Sequence, residues 1–177
     1  PPDGPHSLLL PVARVEPLLA AFRQARPAEM GLAVANGTGV GTNRRDVAGP
    51  ADPEVPVLVV RSAGEPLACM VVYAMHPTVL HEDSTLISGD FPAMTRRFLQ
   101  QNVLGAACPV LYHTGPAGNQ SPRYVTRGNT FAEAERLGEL LGQAIAAVIP
   151  TIDYGAAGEL EVRQALVELP RRYFPAV

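Results

Sequence analysis

The sequence predicts an α/β fold, a mixed β-sheet flanked by helices, and three observations carry that prediction. Two apolar runs, 55–60 and 67–73, are separated by Gly64-Glu65-Pro66 and read as an antiparallel hairpin. Two stretches of helical periodicity, 91–103 and 130–149, follow it. Between them Val110-Leu111-Tyr112 is a short β-prone run, so the order hairpin, helix, strand, helix implies a parallel crossover in the second half. The sheet is expected around a 55–76 hairpin and a 109–114 strand.

Taken in order, residues 8–26 place Leu8, Val12, Val15, Leu18, Leu19 and Phe22 on one helical face, and Pro27 stops the helix. Residues 31–40, partly β-branched and rich in glycine, suit a strand leading into a tight loop. That loop, 39–46, carries Asn43, Arg44 and Arg45 after glycines that allow close backbone approach. Its arginines read either as solvated charges or as a clamp for an anion or carbonyl, because a guanidinium offers a fixed fork of donors. The second hairpin strand is apolar throughout, which predicts burial on both faces, and it runs out at His76. A loop follows from Pro77. Asp90 then takes the N-cap position of the next helix, with Pro92 in its first turn. In the 130–149 helix, Thr130 and Glu133 form a capping box and Ala134, Leu137, Leu141, Ile145 and Val148 make the core face. Gly138 and Gly142 are expected to let this helix lie close to the sheet, and Pro150 ends it. Residues 159–169 alternate imperfectly and read as a long, half-exposed strand.

The 177 residues suffice for a single domain with its own core, or for part of one larger domain. A hydrophobic content of 47% and a mean hydropathy of +0.09 place the chain among globular proteins. A net charge of −3 without a basic stripe gives nucleic-acid binding no support. No apolar run approaches the roughly 20 residues that a membrane helix needs, which leaves a lipid substrate open. Cys69 and Cys108 lie in apolar runs and read as buried free thiols, two cysteines defining no disulfide framework. A start at Pro1-Pro2-Asp3 and a last segment, 170–177, that reads as an incomplete strand and turn lead to the expectation of a piece of a longer protein.

Two strand-end loops hold the chemistry. After the β-prone run comes His113-Thr114-Gly115-Pro116-Ala117-Gly118-Asn119-Gln120-Ser121-Pro122-Arg123, dense in donors and acceptors, with one candidate nucleophile. The carboxyl end of a strand is where open α/β sheets bind ligands, although a glycine- and proline-rich turn can also bond only its own backbone. His76, between an apolar strand and Pro77, reads as a loop histidine bonded to backbone or as a zinc ligand. His6, His81 and His113 are dispersed, and HEXXH and CXXC signatures are absent. Ser121 lies outside a G-x-S-x-G elbow.

The combination is more specific than its parts. Asn43-Arg44, Asp52-Pro53-Glu54 before a strand, a glycine-containing turn, a strand ending in His76, Ser88-Gly89-Asp90 and Gly118-Asn119-Gln120-Ser121-Pro122 succeed one another. This order resembles the amino-terminal catalytic domain of the neutral/alkaline, non-lysosomal ceramidases, over roughly residues 31–143. The resemblance implies a zinc-dependent hydrolase of linear amide bonds, cleaving N-acyl sphingosines to a fatty acid and a sphingoid base. It makes His76 the zinc-binding histidine, Ser121 the catalytic serine of the G-D/N-x-S-P loop, and Arg44 the arginine near the substrate carbonyl. Asn43, Asn119 and Gln120 are then expected to contact substrate, with Asn119 also shaping the serine loop. Asp90 matches a family aspartate that reads as structural. The implied chemistry is coherent: zinc polarises the amide carbonyl and lowers the pKa of a bound water, and Arg44 stabilises the developing oxyanion.

The same resemblance implies a further zinc histidine near the amino terminus, which His6 matches poorly, and a Glu and a Tyr beyond the chain's end. The remainder of its own catalytic domain is therefore an expected partner, and the 177 residues alone are expected to be inactive. Arg123 after the serine motif and the segment His76-Pro77-Thr78-Val79-Leu80 fit a bacterial ceramidase-like branch acting on ceramide or on a related amide or ester. Two rival readings stay open. One is a non-catalytic domain on the same fold that holds an anionic ligand through Arg44 and Arg123; the other is a metal-free serine hydrolase centred on Ser121.

Overall fold

Alternation decides which side of each strand is buried, and the hairpin shows it first. The structure, a computed structural model, describes residues 6–156, 158, 161–168 and 170. Strands β3 (Glu54–Ser62) and β4 (Glu65–Tyr73) pair antiparallel as the sequence predicts, with a register shift between Val60 and Arg61. They turn Val55, Val57, Val59, Cys69, Val71 and Tyr73 inward, all of them buried. Strand β1 (Glu29–Asn36) adds antiparallel to β3, and β5 (Val110–Thr114) adds parallel to β4. A two-residue β7 (Gly155–Ala156) completes a mixed sheet in the order β5-β4-β3-β1-β7. The β4–β5 pairing is the expected parallel crossover, made through the helix between them.

Helices α2 (Asp90–Leu99) and α3 (Phe131–Val148) cover the inner face, and Phe91, Leu99, Ala134, Leu137, Leu141 and Ile145 are buried there with the strand residues. The outer face is different from expectation. Strand β4 is not buried on both faces, because Leu32, Leu58, Met70 and Leu111 stand in cross-strand register on the outer side. Leu32 there is 70% exposed and Leu111 51%. Among the described residues no second layer packs on that row, so apolar composition overstated the burial of β4. Strand β5 is an edge strand of this sheet.

The other helices also depart from the sequence reading in instructive ways. Helix α1 runs His6–Arg23, but Val15, Leu18, Leu19 and Phe22 on its apolar face are exposed, Phe22 at 81%. Helix α2 stops at Leu99 and continues as a π-helical turn, Gln100–Leu104, from which Gln100 Nε2 donates to the Cys108 carbonyl at 2.9 Å. Thr130 caps α3 by accepting from Glu133 N–H at 3.2 Å. The reciprocal half of the capping box is replaced, because the Glu133 carboxylate accepts from Arg127 N–H and Arg136 instead. Residues 161–168 are irregular and exposed, not a strand, and 159, 160 and 169 lie outside the described residues.

Gly138 and Gly142 do permit a close approach, to α2 rather than to the sheet. A Cβ on Gly138 would lie 2.4 Å from Met94 Cβ and 2.7 Å from the Phe91 carbonyl oxygen, and one on Gly142 would lie 2.4 Å from Phe98. Thr95 Oγ1 bridges the same contact, 3.1 Å from the Phe91 carbonyl and 3.0 Å from that of Gly138. Gly138→Ala therefore overpacks a backbone contact, and we expect a loss of about 2 kcal/mol in chemical denaturation. A Gly138→Ala protein as stable as wild type would show that α2 and α3 can move apart freely.

Candidate active site at the His76 and Ser121 loops

Glycines bring the two arginine- and serine-bearing loops together. A Cβ on Gly41 would lie 2.2 Å from Met75 Sδ and 2.9 Å from the Ser121 carbonyl oxygen, so only glycine lets the chain pass here. Beyond it, β2 (Thr42–Asn43) pairs antiparallel with β6 (Gln120–Ser121), Thr42 opposite Ser121 and Asn43 opposite Gln120. The next residue, Arg44, donates its N–H to the Asn119 carbonyl at 2.7 Å and its Nη2–H to the Gly118 carbonyl at 2.9 Å. Sequence gives no sign of this small ladder, whose strands are only two residues long.

His76 joins the same cluster. Strand β4 ends at Tyr73, and three residues later the His76 N–H donates to the Gln120 carbonyl at 3.2 Å. His76 Nδ1 lies 3.1 Å from that same oxygen. A carbonyl oxygen can only accept, so Nδ1 carries the proton and, in the neutral ring, Nε2 carries the lone pair. This is the arrangement found behind metal-ligating histidines, in which the far nitrogen is oriented by a backbone carbonyl. His76 thus fits one coordination position of a zinc ion. The described residues contain no cluster of three metal-ligating side chains, so His76 would need ligands from elsewhere.

Ser121 is buried, and its Oγ accepts from Arg123 N–H at 3.3 Å as the cap of the short 3-10 turn Pro122–Tyr124. Among the described residues no histidine or carboxylate hydrogen-bonds that hydroxyl. Arg123 is exposed, with its guanidinium 5.8 Å from the Tyr124 ring centroid. Arg44 has one arm on Gly118, and its remaining donors have no partner among the described residues.

The amides of the loop are used within the protein. Asn43 Nδ2 and Asn119 Nδ2 both donate to the Pro50 carbonyl, at 2.9 and 2.8 Å, and Asn43 Oδ1 accepts from Arg45 and Asp46 N–H. Gln120 Oε1 accepts from Asp52 N–H at 2.7 Å, and the residue lines a cavity of about 240 Å³ with Thr38, Tyr73 and Met75. These contacts hold the 43–52 loop against the serine loop. The shared acceptors, the Pro50 and Gln120 carbonyls, were not legible beforehand, because any residue type supplies a main-chain carbonyl.

The other candidates lie apart. His81 is exposed and bonds Asn129, and His113 is exposed on β5. Cys69 and Cys108 are free and buried, as expected. Burial, with a smaller contribution from Cys108, pushes the Cys69 thiol up to about 12, which rules out a thiolate nucleophile there at neutral pH. No described helix is long and apolar enough to cross a membrane.

No protein-family model matches the chain, and no curated protein matches it. Solved structures do. A ceramidase complexed with C2 superposes with a TM-score of 0.63 at 19% identity, over 74% of this chain and 23% of its own. The neutral ceramidase from Pseudomonas aeruginosa superposes with a TM-score of 0.63 at 19% identity, over 77% of this chain and 25% of its own. The chain thus spans about a quarter of the length of these structures. With a mixed sheet, its parallel crossover and the strand-end loops all in place, the chain has a neutral ceramidase-like fold.

Proposed function

We propose that this chain is part of a ceramidase-like, zinc-dependent hydrolase acting on the linear amide bond of a lipid-like N-acyl substrate. The observation that carries the reading is the pair of contacts from His76 to the Gln120 carbonyl, which orients a metal-competent nitrogen beside the serine loop. The likeness in fold to ceramidases supports the reaction class, and the substrate is either ceramide or a related amide. When bound, zinc supplies Lewis-acid polarisation of the carbonyl and a water of lowered pKa.

The residues of this chain divide the remaining work. His76 would hold the ion through Nε2, its Nδ1–H being bonded to the Gln120 carbonyl. Arg44, one arm anchored on Gly118, directs its other donors at the carbonyl oxygen as charge develops there. Among the described residues no base hydrogen-bonds Ser121, so its hydroxyl proton orients the attacking water or the scissile group rather than leaving for direct attack. Asn43, Asn119 and Gln120 hold the two loops in register, placing substrate contact with the backbone they position.

The test uses the intact protein. Wild type is expected to hold zinc near one equivalent by elemental analysis, and His76→Ala to lose both metal and amide hydrolysis. No zinc in wild type would sink this mechanism and favour a non-catalytic, anion-holding domain. Arg44→Ala is expected to lower kcat about 10²–10³-fold with zinc content unchanged, the size of a lost oxyanion donor. Unchanged kcat in that variant would remove Arg44 from the chemistry. Ser121→Ala is expected to keep its zinc and lose activity. Covalent labelling of Ser121 by a phosphonate in zinc-free protein would instead establish a serine hydrolase.

A further inference from the structure

The start of α2 does not behave as a helix cap. Gly89 stands in the N-cap position without a side-chain cap, and Asp90 is the first helical residue with φ of 52°. A left-handed backbone is uncommon for a residue other than glycine and persists where its surroundings demand it. They do, because Asp90 is only 4% exposed and its carboxylate accepts three main-chain N–H groups. Oδ2 accepts from Val79 N–H at 3.0 Å and Leu80 N–H at 2.9 Å, while Oδ1 accepts from Phe91 N–H at 2.7 Å. Ser88 Oγ in turn accepts from Asp90 N–H at 2.9 Å.

The two amides that Asp90 grips follow His76 by three and four residues. Between them the chain is short and closed, since Thr78 N–H donates to the His76 carbonyl at 3.0 Å and Val79 is buried in the core. His76 is therefore held from both flanks, by the Gln120 carbonyl on one side and by the His76–Leu80 turn on the other. We infer that Asp90 is a positioning residue for His76: its carboxylate fixes the turn that aims the imidazole, and thereby sets metal affinity. The inference rests on the zinc reading proposed above for its functional consequence. Its structural half, that Asp90 orders His76, stands without any metal.

Asn suits a left-handed backbone but has one accepting oxygen in place of two, so in Asp90→Asn the N–H groups of Val79, Leu80 and Phe91 can no longer all find their acceptor, at little backbone cost. Asp90→Gly, which accepts φ of 52° freely, is the second variant should Asn fail to fold. Leu141→Ala, in the core face of α3, serves as a destabilised control. In the intact protein, Asp90→Asn is expected to weaken zinc binding roughly tenfold and to lower kcat with KM little changed, the effect of disturbing a ligand's support. Leu141→Ala is expected to keep zinc affinity at an equal loss of thermal stability. In metal-free protein, exchange of the His76 Nδ1 proton and of the Val79 and Leu80 amides is expected to quicken at least tenfold in Asp90→Asn alone.

Equal zinc affinity in Asp90→Asn and Leu141→Ala would overturn the functional claim, and unchanged His76 Nδ1 exchange would overturn positioning itself. If wild type binds no zinc, the hydrolase mechanism and the claim on metal affinity fall together. Accelerated His76 exchange in Asp90→Asn still establishes the positioning role in that case.

Discussion

One main-chain oxygen organises the candidate site. The Gln120 carbonyl accepts from both the backbone N–H and the ring Nδ1 of His76, using its two lone pairs on a single residue. Because the acceptor is part of the serine loop, the orientation of the imidazole is tied to the backbone that carries Ser121. The β2–β6 ladder then ties that backbone to Arg44. A histidine, a serine and an arginine from three separate segments are thus referenced to one another through peptide groups, which have far less freedom than side chains. A second carbonyl, that of Pro50, gathers the amides of Asn43 and Asn119 in the same manner.

The platform beneath these loops is rigid on one side. Valines of β3 and β4 meet α2 and α3 across a single interior, and the two helices approach so closely at Gly138 and Gly142 that no Cβ fits. His76 leaves this platform past the carboxyl end of β4, and the serine loop leaves it past the parallel strand β5. That is the edge at which α/β sheets generally present binding groups. On the other side Leu32, Leu58, Met70 and Leu111 form an apolar row across four strands, exposed at Leu32 and Leu111 and half-buried at Leu58 and Met70 among the described residues. The solved ceramidases share this fold over about a quarter of their own length, so in them it belongs to a larger whole.

Residue patterns carried the hairpin, both sheet-flanking helices and the crossover strand, because alternation and 3.6-residue periodicity are local properties of the chain. They also singled out Arg44, His76 and Ser121. They misjudged layers: β4 reads as doubly buried from composition but is half-buried at Met70, and the apolar face read for α1 is exposed at Val15, Leu18, Leu19 and Phe22. They also misassigned partners. Gly138 and Gly142 were expected to meet the sheet and meet α2, and Asp90 looked like a cap but grips the turn after His76. In each case the residue type was informative about local constraint and silent about the neighbour that imposes it.

By itself the sequence determined the hairpin, the crossover strand, the two helices that flank the sheet, and which loops hold polar and cationic groups. Only the tertiary structure decided that these loops converge, since the contacts that join them link residues 44 positions apart for His76 with Gln120 and 74 apart for Arg44 with Gly118. Their acceptors are peptide carbonyls. Every residue supplies one, so nothing in the identity of Gly118, Asn119 or Gln120 marks the oxygen that Arg44 or His76 will find.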